Sequence, residues 1–312
     1  MKVEPVSTAY KAAYHFVRSV PRPVADAAAL AGSVVAAEVS KERRLLVERN
    51  LRRVYGDDFG GRDLRRCVVA TFASYARYWV DSFRLPGVSL GTLDAGFQYR
   101  GFDHLVEARE RGIGPIIVLP HLGGWEWAGF WLTRVMEIPV TVVVEPLEPR
   151  ELFDFFVRFR QALGMNIVTL GPAAGAEVLR AIKERHVVCL LADRDIHGDG
   201  VAVDFFGERT TLPAGPVTLA LRTGAPLHPT AVYFAGHRHV GVVRPALPLE
   251  RQGRFRADVV RGTQRLAREL EDLIRVAPEQ WHLQQPNWPS DHEALEAIGK
   301  SAARPGRSVP HW

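Results

Sequence analysis

The rhythm of apolar and polar positions changes near residue 95. Before it, apolar residues recur at helical spacing. Tyr10, Ala13, Tyr14 and Val17 make one stripe, which stops at Pro21 and Pro23. A basic helix carries Lys41, Arg43, Arg44, Arg49, Arg52 and Arg53. Another, over 64–83, carries Phe72, Tyr75, Tyr78, Trp79 and Phe83, aromatics expected in the core. The Ala-rich stretch 24–37 is interrupted by Asp26, is too short to span a bilayer and reads as an ordinary packed helix. Beyond residue 95, strand-like runs at 116–119, 140–144, 166–170, 187–191, 201–206 and 228–234 alternate with helical stretches at 125–136, 150–163, 174–184 and 213–222. A last helix covers 257–275. The alternation predicts an α/β fold: a central, mostly parallel sheet flanked by helices, with an N-terminal all-helical part. The expected division is 1–90 for the helical part, 91–300 for the α/β core and 301–312 for a frayed tail.

Composition narrows the class. The chain has 312 residues, enough for a full core, and a net charge of +5 that suits an anionic partner. Two cysteines, Cys67 and Cys189, make no disulfide framework, and a reducing cytoplasm is the expected setting. No secretion signal is read near Glu4. There is no GxSxG elbow and no HExxH pair. Gly299-Lys300-Ser301 lacks the phosphate cradle, because Ala294 stands where its first glycine belongs.

The candidate chemistry begins at His121, which closes the run Pro115-Ile116-Ile117-Val118-Leu119-Pro120. The carboxyl ends of strands in open α/β sheets are where ligands bind. Glu126 follows five residues later in the first helical turn, and an imidazole beside a carboxylate is a ready general base. Gly123 and Gly124 lie between them, where a substrate approaches the backbone and their amides can meet an oxyanion. Taken singly, His121 reads as a structural histidine and Glu126 as a carboxylate complementing a helix dipole. Other charges reach the same edge. Glu145 ends the run 141–144, and adjacency of that strand to the His121 strand puts their ends roughly 5 Å apart. Arg160 lies near a helix end expected over the site. Asp193-Arg194-Asp195 follows 187–191, and its Asp-x-Asp shape also suits the divalent ion of a glycosyltransferase. His237 and His239 read as solvated hairpin residues.

In chain order, HLGGWE at 121–126, VVVEPLEP at 142–149, FRQALG at 159–164, LADRD at 191–195, VDFFGERTTLPAGP at 203–216 and WHLQQPNW at 281–288 resemble the lysophospholipid acyltransferase superfamily. Within it the chain looks like the bacterial lipid A acyltransferase group, and most like the actinobacterial phosphatidylinositol mannoside acyltransferases. The resemblance implies acyl transfer from acyl-CoA to a glycolipid hydroxyl, with a mannose of phosphatidylinositol mannoside as the expected acceptor, at the cytoplasmic face of the cell membrane. Another glycolipid or a lysophospholipid is the alternative acceptor. His121 and Glu126 are then catalytic, and Glu145, Arg160, Asp193, Arg194, Asp195 and His282 bind substrate. The motif acid is commonly Asp, so Glu126, Glu145 and Asp195 all stay open as the residue holding the imidazole. Acyl-CoA is the donor substrate, with no metal, no further cofactor and no nucleic acid expected. Phe130, Trp131 and the Tyr75–Trp79 face are candidates for an acyl groove. Lys11, Arg18, Arg43, Arg44, Arg52 and Arg53 are expected to attract anionic lipid to a peripheral protein.

Overall fold

The computed structural model describes residues 5–146, 148–196 and 198–299, so the tail expected at 301–312 lies outside the described residues. The first part is helical: α1 (Pro5–Ser19), α2 (Arg22–Val39), α3 (Lys41–Tyr55), α4 (Gly61–Arg84) and α5 (Leu90–Ala95). Next come β1 (Phe97–Arg100), α6 (Asp103–Glu110), β2 (Ile116–Leu119), α7 (Trp125–Arg134), β3 (Val140–Val144), α8 (Arg150–Ala162), β4 (Asn166–Thr169), α9 (Ala174–Lys183) and β5 (Val187–Leu191). The chain continues through β6 (Val201–Phe205), β7 (Glu208–Leu212), α10 (Gly215–Thr223), β8 (Leu227–Ala235), β9 (Arg238–Val243), α11 (Phe255–Arg275) and α12 (Pro289–Ala297). The aromatic stripe of α4 is core, as its spacing implied. Tyr10 meets Trp79 edge-on at 5.2 Å and Tyr14 meets Phe83 at 5.5 Å. One hydrophobic cluster joins Val17, Ala25, Tyr78 and Phe83 of the first helices to Ile117, Leu119 and Val142 of the sheet.

Seven strands form the sheet in the order β1-β9-β8-β2-β5-β3-β4. All neighbours are parallel except β8 and β9. The α/β reading therefore holds, with two corrections. The run 201–206 is not a strand of this sheet: β6 pairs antiparallel with β7 in a separate ribbon. Its two-residue turn, Phe206-Gly207, has both φ angles positive (52° and 76°), the hairpin geometry that matches strand twist. Phenylalanine in that conformation gives no sequence signal. Second, β3 does not neighbour β2. After α9 the chain returns to insert β5 between them, so the loop after β5, not the loop after β3, stands beside His121.

The basic helix is less free than its composition suggested. The Arg53 side chain is only 8% exposed, stacks over Trp288 at 3.9 Å and pairs with Asp291 at 2.7 Å. Arg44 pairs with Glu38 and Glu48. On α2 the reverse holds. It buries only small residues, Ala25, Ser33 and Ala37, while Val24, Leu30, Val34, Val35 and Val39 face outward. Among the described residues no single helix is long and apolar enough to cross a membrane.

Candidate active site

Strand register builds the site. Leu119 pairs with Leu191, and the ladder runs one bond further, Ala192 N–H to the Leu119 carbonyl at 3.1 Å. Pro120-His121 and Asp193 therefore leave the sheet side by side, where the chain order reverses across β2. His121 Nδ1 meets Asp193 Oδ1 at 2.5 Å. Asp193 Oδ2 accepts the His121 backbone N–H at 3.0 Å and the Trp281 indole N–H at 2.8 Å. Burial of Asp193 pushes its pKa up, but the neighbouring His121 charge and these donors outweigh burial and hold it below the usual carboxylate value. An ionised carboxylate only accepts, so Nδ1 carries a proton, and it is the neutral ring that keeps its lone pair on Nε2. Asp193 is fully buried while the His121 side chain stays 15% exposed.

His282 supports the pair from a third side. Its backbone N–H donates to the His121 carbonyl at 2.7 Å, and its ring lies 2.9 Å from Ser74 Oγ between Tyr75 and Tyr78. Burial, then the nearby His121 charge, push its pKa down to about 3, against the opposing pull of Asp193. His282 is thus a neutral support at ordinary pH.

The other expected residues lie elsewhere. Glu126 does not meet the imidazole: it is buried against Arg160, with Nε–Oε1 at 3.0 Å, and Arg160 also stacks on Trp125 at 5.2 Å. From the first turn of α7 this carboxylate reaches Arg160 of α8. Arg160 is accordingly engaged by Glu126 and Trp125. Glu145 pairs with Arg194 at 3.2 Å, and Arg194 also donates to Gln285. Asp195 accepts the amides of Gly198 and Gly200 at 3.1 and 2.8 Å and shapes its own loop. Asp193 and Asp195 thus turn their oxygens to different donors and do not form an Asp-x-Asp ion cradle.

The glycines need a further correction. The Gly123 amide donates to the Gln280 carbonyl at 3.0 Å and the Gly124 amide to Val232 at 3.1 Å, so neither is free for an oxyanion. Gly123 has φ +58°, and a Cβ there would lie 1.9 Å from the Val232 carbonyl oxygen. A Cβ on Gly124 would strike the His239 ring at 2.5 Å. The gap between His121 and Glu126 is filled by protein rather than kept for substrate. His239 is buried, not solvated: it stacks on Trp127 at 4.3 Å and lies 3.3 Å from Asp81. His237 is exposed.

An apolar seam runs beneath α7, lined by Ile117, Leu119, Trp125, Trp131, Cys189 and Val232 among others, with about 40 Å³ of open space. Trp131 lines it. Phe130, Tyr75 and Trp79 do not and belong to the packed core. Sequence reading missed Trp281, Asn287 and Ser74. Asn287 donates to the Asp193 carbonyl at 3.1 Å and accepts the Asp195 amide at 3.3 Å. WHLQQPNW stood out as a motif, but only tertiary pairing reveals what it holds.

The description "bacterial lipid A biosynthesis acyltransferase" belongs to a family model that matches residues 4–290. A phosphatidylinositol mannoside acyltransferase of Mycolicibacterium smegmatis is 38% identical over 287 residues, covering 90% of this chain and 91% of that relative. One from Mycobacterium tuberculosis is 39% identical over 227 residues, covering 71% of this chain and 70% of the relative. The chain belongs to the bacterial lipid A biosynthesis acyltransferase family and is an O-acyltransferase.

Proposed function

We propose that this member of the family transfers a fatty acyl group from acyl-CoA to a mannose hydroxyl of a phosphatidylinositol mannoside, at the cytoplasmic face of the cell membrane. The observation that carries the reading is the His121–Asp193 pair, with Nε2 as the open end of a ring fixed at Nδ1. A sugar hydroxyl is a poor nucleophile near neutral pH. His121 takes its proton as the oxygen attacks the thioester carbonyl, and Asp193 stabilises the imidazolium. The new C–O bond forms, the C–S bond breaks, and the imidazolium returns the proton to the departing thiolate. No covalent acyl-enzyme is needed. The positive end of the α7 dipole and Arg194 favour the developing negative charge. Glu145 and Gln285 hold Arg194 in place for this.

The acyl chain is assigned to the seam beneath α7. Its present space holds roughly three water molecules, so side chains must part to admit a long chain. The acceptor comes from the names of the relatives. Attachment to the membrane is assigned to the outward apolar face of α2, with Arg43 and Arg52 adding electrostatic attraction worth about 1 kcal/mol each. Neither a metal nor another cofactor takes part in this reading.

Mass spectrometry tests it. Purified protein is given a long-chain acyl-CoA with phosphatidylinositol mannoside or a lysophospholipid, as wild type and as His121→Ala. Acylated mannoside formed only by the wild type is the expected result. Preferential acylation of the lysophospholipid, or a stable acyl adduct on the protein, overturns it. Co-sedimentation with vesicles tests attachment: Val35→Glu with Val39→Glu should release the protein, and unchanged binding would refute the α2 assignment.

A further inference from the structure

We infer that Trp281 is a positioning residue for acyl transfer: its indole N–H, donated to Asp193 Oδ2 at 2.8 Å, fixes the carboxylate that orients His121. The inference rests on the reading of His121 as the base.

Asp193 has few ways to be held in register. One carboxylate oxygen is taken by His121 Nδ1, and the other by the His121 backbone and the Trp281 indole. The first two contacts join Asp193 to the residue it must orient and cannot fix the pair as a whole. Trp281 supplies the external reference. It is buried, its ring centre lies 5.5 Å from Phe206 and 6.3 Å from Trp288, and its backbone bridges Leu122. On either side of it, Gln280 accepts the Gly123 amide and His282 donates to the His121 carbonyl. The same segment grips Asp193 from behind through Asn287. It is itself anchored by Asn50 Nδ2 on the Leu283 carbonyl at 2.8 Å and by Arg49 and Arg53 on Asp291 at 2.7 Å. Residues 280–291 therefore form a strap that ties the dyad to α3.

Removing the indole donor has a predictable sign. The Asp193 charge becomes less dispersed and stabilises the imidazolium more strongly. The base must be neutral to act, so the acid limb of the rate profile moves to higher pH. The charged and titratable groups on the elements around the dyad are His282 on the strap, Tyr75 and Tyr78 of α4 against its ring, Arg194 and Asp195 after β5, Glu145 after β3, and the paired Glu126 of α7 and Arg160 of α8. Trp281→Phe alters none of them.

The experiment compares Trp281→Phe with Trp288→Phe across pH. Trp288 belongs to the same strap, but its indole donates to the Phe205 carbonyl at 3.2 Å, away from the dyad. In Trp281→Phe the acid limb of kcat should rise by roughly half to one pH unit, with kcat lowered several-fold and KM for acyl-CoA unchanged. In Trp288→Phe the limb should stay in place whatever happens to stability. A Trp281→Phe limb that coincides with wild type, or an equal shift in Trp288→Phe, overturns the inference. Should Trp281→Phe not fold, the Trp281 indole N–H resonance in ¹⁵N-tryptophan-labelled wild type gives the answer. It should follow an inflection in the pH range of the acid limb that His121→Ala abolishes; an indole that does not titrate refutes the contact's role. Full turnover by His121→Ala removes the base, and with it this inference. An inactive His121→Ala beside an unmoved Trp281→Phe removes this inference alone.

Discussion

Two histidine–aspartate pairs flank the start of α7, and they do different work. In the first, His121 meets Asp193 at 2.5 Å, with the acid held by backbone and indole N–H groups and the ring open on one edge. In the second, His239 lies 3.3 Å from Asp81, whose other partners are the guanidinium groups of Arg22 at 2.7 Å and Arg77 at 3.3 Å. That imidazole is sealed between Trp127, Phe234 and the Gly124 backbone. The residue types are the same, so composition does not make a base. A base needs a ring edge that substrate can reach and an acid whose charge is not already matched by arginines. Asp81 has its charge matched and its histidine enclosed, which makes it a joint between α2, α4 and the glycine loop.

The largest expected break in the comparison is in turnover. His121→Ala and Asp193→Asn should each lower kcat by about 10²–10⁴-fold while the fold persists, checked at saturating donor with circular dichroism alongside. Asp81→Asn should leave turnover per folded molecule near wild type. A near-silent Asp193→Asn beside a severe catalytic loss in Glu126→Gln would return the orienting role to Glu126.

Stability should respond the other way. Asp81→Asn removes the buried charge that faces Arg22 and Arg77, although Arg22 keeps Asp26, and Glu126→Gln removes the charge paired with the buried Arg160. Breaking the buried Glu126–Arg160 pair costs about 3–5 kcal/mol, read from urea midpoints, whereas Asp81→Asn, which faces partly exposed arginines, should cost less and Glu145→Gln, itself partly open to solvent, least. Unaltered midpoints in both buried variants would show these pairs to be incidental.

The pH dependence follows in size. His239, Arg22 and Arg77 outweigh the burial that raises the Asp81 pKa, so its folded value is depressed, as is that of Asp193. Their contribution to stability is complete above the unfolded carboxylate value, roughly 3.9, and is lost as pH falls through the folded values. Urea midpoints should therefore drop on acidification below about pH 4 in the wild type. Asp81→Asn, already lacking one of these groups, should drop less, and equal slopes would count against the assignment. The smallest effect is expected from metal removal. Because protein donors occupy the Asp193 and Asp195 oxygens, dialysis against a strong chelator should leave acyl transfer unchanged. Activity restored only by magnesium or manganese would contradict that.

The two pairs also mark what a sequence can tell. The run ending at His121 shows itself through its apolar length and bounding prolines, and the alternation after residue 95 yields the α/β class. Partnership is another matter. Glu126 lies five residues from His121 and Asp193 seventy-two, yet the nearer acid turns away and the farther one bonds, because β5 inserts beside β2. Strand order is a long-range property that local periodicity does not carry. His239 fails for a similar reason: nothing in its hairpin sequence announces Trp127 or Asp81.

The strap has a consequence for biosynthesis. Ribosomes make the chain from His121 onward to Asp193 and through the sheet before residues 280–291 exist. Until that stretch leaves the exit tunnel, Asp193 lacks its indole donor and Gly123 its carbonyl acceptor. The outermost supports of the dyad are thus the last to be synthesised, although His121 and Asp193 are both in place earlier.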